Sequence, residues 1–132
     1  MDVWRSKGVP ANKLVMGIPF YGRSFVLNDP MKYLPGKNAR SQKEGFPGPY
    51  TEENGFLAYF EICTMAKESN WMHKTDKGGN AYMHNGKKWV GYDTPEAVGR
   101  KVNWKNKQIV HLRITIINHD VVYLKLYINY FR

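Results

Sequence analysis

Two hydrophobic rhythms share this chain. From Leu14 to Phe20 the residues LVMGIPF follow one another without a charge, and the run stops at Tyr21-Gly22-Arg23. An uninterrupted apolar run of that length predicts a strand covered on both faces. Ahead of it, Asp2–Lys7 reads as the end of a helix closed by Gly8 and Pro10, and Val9–Lys13 as the loop into the strand. The second rhythm is helical. Phe56, Tyr59, Phe60, Cys63 and Ala66 recur at spacings of three and four, which predicts a helix over Phe56–Lys67 with Thr51 capping the turn before it. Ala81–Met83 and Lys88–Tyr92 predict the arms of a hairpin turned at Asn85-Gly86. Thr94-Pro95-Glu96 then opens a helix that runs to about Asn106, with proline in its first turn and an acid near its N-terminus.

Between these elements the pattern loosens. Asn28–Tyr50 is rich in Gly, Pro, Lys and Asn and predicts a long irregular excursion, preceded by a short strand at Ser24–Leu27. A loop of that length in a compact domain is functional or belongs to an inserted subdomain. Gln108–Arg132 has no Gly, Pro or Ala; ITII and VVYLKLYI favour strands, and Arg113, Asp120 and Lys125 make a membrane-spanning helix a poor fit. A helix, a short loop and a buried strand make half of a βα repeat, in which ligands bind at the carboxyl ends of strands. Tyr21 and Arg23 stand at such an end. Either they contact a substrate there, or Tyr21 caps the core and Arg23 is solvated.

A chain of 132 residues predicts one domain of ordinary hydrophobic content. Its net charge of +9 raises nucleic acid or an acidic surface as a partner. The lysines and arginines are scattered, however, and the run Lys101–Lys107 reads as the wet face of a helix, so no nucleic-acid partner and no membrane are expected. Cys63 is the only cysteine, which excludes an internal disulfide framework and a cysteine-based zinc site. The four histidines (His73, His84, His111, His119) lack ligand spacing, so neither metal nor cofactor is expected. The N-terminal MDVWRSKG has no apolar core of a signal peptide.

Three blocks in order, KLVMGIPFYGRSF, GPYTEENGFLAYFEIC and KKWVGYDTPEAVGRKVNW, resemble the C-terminal half of an animal-type glycoside hydrolase family 18 chitinase over about Trp4–Lys107. The resemblance implies an α/β fold: part of a (β/α)8 TIM barrel, about strand 7 and helix 7, carrying an α+β insertion domain. The implied boundaries are 1–23 for the barrel segment, 24–92 for the insertion, 93–107 for helix 7 and 108–132 for a divergent tail, which reads either as a real tail or, from its residue usage, as translated non-coding sequence. The family's eighth strand carries a GLGGxMxW run, whereas this chain has NKQIVHLRITII.

The resemblance further implies chitin or a chitooligosaccharide as partner and an extracellular location. Family 18 chemistry is substrate-assisted: a glutamic acid in a DxxDxDxE run protonates the leaving oxygen while the substrate's own acetamide attacks. No such run occurs among the eleven acids, so no catalytic residue is expected and the chain reads as an inactive fragment of a chitinase or of a chitinase-like lectin. What carries over is substrate contact by Tyr21 and Arg23 of the YGR motif and by Glu53 of TEENG, whose alternative role is a cap near a helix start. Asp93 of WVGYD matches a family aspartate or caps the next helix. Trp89, Tyr82 and Tyr92 either stack on sugar or fill the insertion's core. Cys63 matches one half of a family disulfide whose partner is absent here.

Overall fold

The structure, a computed structural model, describes residues 2–36, 40–41, 45–108 and 111–115. The chain opens with helix α1 (Asp2–Ser6), which ends at Gly8, where a φ of 87° lets the backbone reverse. A single 3-10 turn (Ala11–Lys13) leads into strand β1 (Val15–Pro19). There follow β2 (Tyr21–Val26), β3 (Phe56–Ala58), α2 (Tyr59–Met65), β4 (Met72–Thr75), β5 (Ala81–Asn85), β6 (Lys88–Tyr92), α3 (Pro95–Gln108) and β7 (His111–Thr115). The fold is α/β.

These elements make two sheets. β1 and β7 run parallel, in register from Val15 against His111 to Pro19 against Thr115. Parallel neighbours need a crossover, and α3 supplies it. Val98 and Val102, one turn apart on α3, pack against Met16, Ile18 and Phe20. Everything from Tyr21 to Tyr92 is inserted between β1 and α3. It forms a five-stranded antiparallel sheet in the order β3-β2-β6-β5-β4. One face of this sheet buries Leu57, Met83 and Val90 against Ile62 of α2, Phe46 and Trp71. Because successive residues of a strand point to opposite faces, β2 sends Gly22 and Ser24 into that core and leaves Tyr21, Arg23 and Phe25 on the other side.

Several expectations needed correction. The helix predicted from Phe56 starts at Tyr59, because Phe56–Ala58 pairs with β2 instead. All three residues are buried, so their apolar spacing does not separate strand from helix. β2 begins at Tyr21, earlier than the strand expected at Ser24, so Tyr21 and Arg23 belong to the antiparallel sheet and follow β1 rather than end it. The hairpin turns one residue later than predicted. Asn85 pairs with Lys88, which leaves Gly86-Lys87 as the turn, with Gly86 at φ 56° in the first central position. β4 has every residue exposed, so no alternation announced it. Of the terminal stretch, His111–Thr115 forms β7; the predicted strand VVYLKLYI lies outside the described residues.

Candidate functional site

The open face of the second sheet holds the sequence-predicted corner. Tyr21 and Arg23, two residues apart on β2, share that face with Phe56, the β3 partner of Arg23. The Tyr21 and Phe56 rings lie 5.1 Å apart at 31°, and the Arg23 guanidinium sits 5.4 Å from the first ring centroid and 5.7 Å from the second. Cation–π contact of this kind contributes about 0.5–1 kcal/mol at an exposed site and orients the planar fork. Among the described residues no carboxylate forms an ion pair with Arg23, and its side chain is exposed. The N–H donors of the guanidinium are thus presented to solvent on an aromatic base. Gly22 between them cannot carry a side chain, since a Cβ would lie 2.5 Å from Ile62 Cδ1 and 2.9 Å from the Gly91 carbonyl oxygen. That close approach seats β2 on α2 and β6 and fixes the corner from behind.

The same face continues across β6 and β5 as an aromatic row. Phe25 meets Trp89 edge-on at 5.6 Å, and Trp89 stacks on Tyr82 at 5.4 Å. Trp89 donates its indole N–H to the Tyr33 carbonyl at 3.0 Å, and the Tyr33 ring stacks on His84 at 4.1 Å. The segment around Tyr33 therefore lies over this part of the sheet. Tyr82 is fully buried, whereas Tyr92 is half-buried and packs on the opposite, α2-facing core. Burial raises the Tyr92 phenol above its usual value, with Cys63 and Glu96 adding to the effect.

His84 is buried, and among the described residues its Nε2 has no hydrogen-bond partner. Burial, and to a lesser degree the Lys74 charge, lowers its pKa below the ordinary 6.5. The unfolded chain then takes up this proton at a higher pH than the folded one, so stability is lost as pH falls below about 6.5. The thermal midpoint is expected to drop between pH 7.5 and 5.5. In His84→Phe, which keeps a ring against Tyr33, that drop should shrink; an unchanged drop would mean other groups carry it.

Glu53 lies exposed in the turn before β3, with its backbone carbonyl accepting the Phe56 N–H at 3.2 Å. It caps no helix. The carboxylate in the first turn of α2 is Glu61, and sequence reasoning missed it. Glu61 is only 1 % exposed and accepts N–H groups from Tyr50, Thr51 and Ala58 and the Thr51 hydroxyl. A glutamate inside an apolar helical stripe, three residues after Ala58, was the available signal. Asp93 does not cap α3 either: Thr94 Oγ1 accepts the Ala97 N–H, while the Asp93 carboxylate pairs with Lys101. Lys101, read as part of a wet face, is held by that pair. Cys63 lies half-buried on α2. Among the described residues no group of three His, Cys, Asp or Glu could hold a metal ion, and no helix is long and apolar enough to cross a membrane.

A βαβ unit carrying an antiparallel sheet, with an aromatic–guanidinium corner just past its first strand, defines an α/β protein whose inserted sheet presents one aromatic face. The chain belongs to the glycosyl hydrolases family 18, whose model matches residues 1–111. It is 46 % identical over 110 residues to an endochitinase of Manduca sexta, a match that covers 79 % of this chain and 20 % of the relative. Its fold is similar to the Ostrinia furnacalis Group IV chitinase solved in complex with allosamidin, with a TM-score of 0.83 and 38 % identity over 90 % of this chain and 32 % of that one. It is also similar to human YKL-39, described as a pseudo-chitinase with retained chitooligosaccharide binding, with a TM-score of 0.75 and 34 % identity over 86 % of this chain and 30 % of that one. The chain thus spans a third or less of the length of these relatives.

Proposed function

We propose that this chain forms one wall of a chitooligosaccharide-binding groove and does not itself cleave the sugar. In this reading β1 and α3 are strand 7 and helix 7 of a (β/α)8 barrel, β7 takes the place of strand 8, and the insertion domain expected over 24–92 starts with β2 at Tyr21. The carrying observation is the corner of Tyr21, Arg23 and Phe56, which offers a sugar an aromatic base, a phenol and an exposed guanidinium fork. Tyr21 and Arg23 donate to sugar hydroxyl or acetamide oxygens, and Glu53 accepts from sugar hydroxyls. The ligands of the similar proteins support this assignment: allosamidin in the Ostrinia chitinase and chitooligosaccharides in YKL-39.

Hydrolysis of β-1,4-linked N-acetylglucosamine polymers is assigned to the longer protein, since the DxxDxDxE run is absent from these 132 residues. The alternative parent is a non-catalytic chitinase-like lectin, a reading favoured by the similarity to YKL-39. Either parent places the chain outside the cell. Purified 1–132 should release no product from chitotetraose in a reducing-end assay, and measurable turnover by clean protein would contradict the proposal. The two parents separate on the full transcript: a glutamate at the end of a DxxDxDxE run makes the enzyme, and a glutamine or leucine there makes the lectin.

A further inference from the structure

We infer that Glu61 is a positioning residue that fastens both sides of the sugar-contacting corner to one carboxylate, an inference that rests on the groove reading above. Its two oxygens divide the work. Oε1 accepts the Tyr50 and Thr51 N–H groups at 2.8 and 3.0 Å, and so holds the turn that leads to Glu53. Oε2 accepts the Ala58 N–H at 2.8 Å and the Thr51 hydroxyl at 2.9 Å, and so holds the junction of β3 and α2. Ala58 is the cross-strand partner of Tyr21, and Phe56 is that of Arg23. The loop with Glu53 and the strand that carries the corner's aromatic base therefore meet at one side chain.

A helix cap alone does not account for this geometry. Capping requires only the Ala58 amide, yet two of the three backbone donors come from a loop ten or eleven residues upstream. The chain is also shaped to admit the carboxylate: a Cβ on Gly48 would lie 2.5 Å from Glu61 Cδ. The loop so held contains Glu52 at φ 52°, a left-handed conformation that a non-glycine residue keeps only when its surroundings impose it. A buried carboxylate costs more than an apolar residue of similar size, and here four hydrogen bonds that join the loop to β3 offset that cost. Burial opposes ionisation of Glu61, and the hydrogen bonds from Thr51, Tyr50 and Ala58 outweigh it and hold the pKa below 4.5.

Glu61→Gln tests the inference, because an amide accepts at one oxygen only and must release either the loop or the β3 side. Chitotetraose affinity is measured by NMR titration for the wild type, Glu61→Gln, Glu53→Ala and the double variant, at a temperature where circular dichroism shows all four folded. Glu61→Gln is expected to weaken binding about 10-fold, and to add less than about 3-fold when Glu53 is already alanine. A purely structural role predicts the wild-type affinity in the folded protein, or an equal loss in both backgrounds, and either result overturns the inference. If the wild type binds no chitotetraose, the groove reading falls and amide exchange decides about Glu61. The variant should then exchange Tyr50–Gly55 at least about 10-fold faster with β5 and β6 unchanged, and uniform or absent acceleration overturns it. Should Glu61→Gln not fold, Thr51→Val leaves the carboxylate in place and removes the hydroxyl, with its 2.9 Å contact to Glu61 Oε2 and its longer 3.4 Å contact to the Phe56 carbonyl. It is expected to cost about 3-fold in affinity and to speed exchange in the same loop, with Thr51→Ser restoring both; no change in either overturns the inference.

Discussion

Gly45→Ala is expected to destabilise the chain by about 3 kcal/mol or more, lowering the thermal midpoint by at least about 10 °C. Gly45 passes over β2 where three stretches of backbone meet. A Cβ there would lie 2.6 Å from the Gly55 Cα and 2.8 Å from the Ser24 carbonyl carbon. Backbone cannot swing aside as a side-chain tip can. The same crossing is tied by the Ser24 N–H to the Gly55 carbonyl at 3.2 Å and by the Ser24 hydroxyl to the Phe46 carbonyl. A shift therefore propagates into Phe46, which belongs to the core beneath α2. Against the roughly 5–15 kcal/mol that stabilises an ordinary domain, this is a large fraction. Gly78→Ala is the control. Its Cβ would meet only the tips of Asn80 and Asp76, at 3.1 and 3.3 Å, and should cost less than about 1 kcal/mol. Thermal unfolding by circular dichroism separates the two, and equal midpoints would mean that the three backbone segments are not packed as described.

The second large effect is on binding. Arg23→Ala should weaken chitotetraose binding by about 10- to 100-fold while leaving the fold in place. The guanidinium is exposed and has no ion pair among the described residues, so its removal costs the fold little. It lies on both the Tyr21 and Phe56 rings, which preorganises its donors and reduces the entropy lost on binding. Arg23→Lys keeps the charge but not the planar fork, and should recover only part of the loss. Tyr21→Phe keeps the ring beneath Arg23 and deletes the phenol; Tyr21→Ala deletes both. If the hydroxyl contacts sugar, the phenylalanine variant weakens binding; if the ring acts only as a base for Arg23, only the alanine variant does. Affinities within about 2-fold of wild type for both Arg23→Ala and Tyr21→Ala would remove these residues from the groove.

The elements easiest to read in the sequence were those in which one force dominated. The run Leu14–Phe20 announced β1 because both faces of the strand needed apolar cover, and Thr94-Pro95 announced α3 because proline fits only the first turn of a helix. The errors arose where two forces competed. Phe56–Ala58 extended a helical stripe, yet pairing with β2 captured it as strand. β4 gave no pattern because an edge strand with both faces wet has none to give. In the candidate site, Tyr21 and Arg23 were legible because an apolar run ended on a phenol and a guanidinium. Glu53 was legible only through the resemblance, since an exposed acid in a turn has no local signature. Glu61 stayed hidden because its partners, Tyr50 and Thr51, are distant in sequence and are backbone groups, which side-chain patterns do not reveal.

The most direct test of the account is titration of chitotetraose into purified 1–132 by isothermal calorimetry, with cellotetraose in parallel as the ligand lacking acetamido groups. Chitotetraose should bind saturably at one site, cellotetraose weakly or not at all, Arg23→Ala should lose the signal, and no new reducing ends should appear after the titration. Absence of saturable binding by a folded wild-type chain, or equal binding by Arg23→Ala, would contradict it.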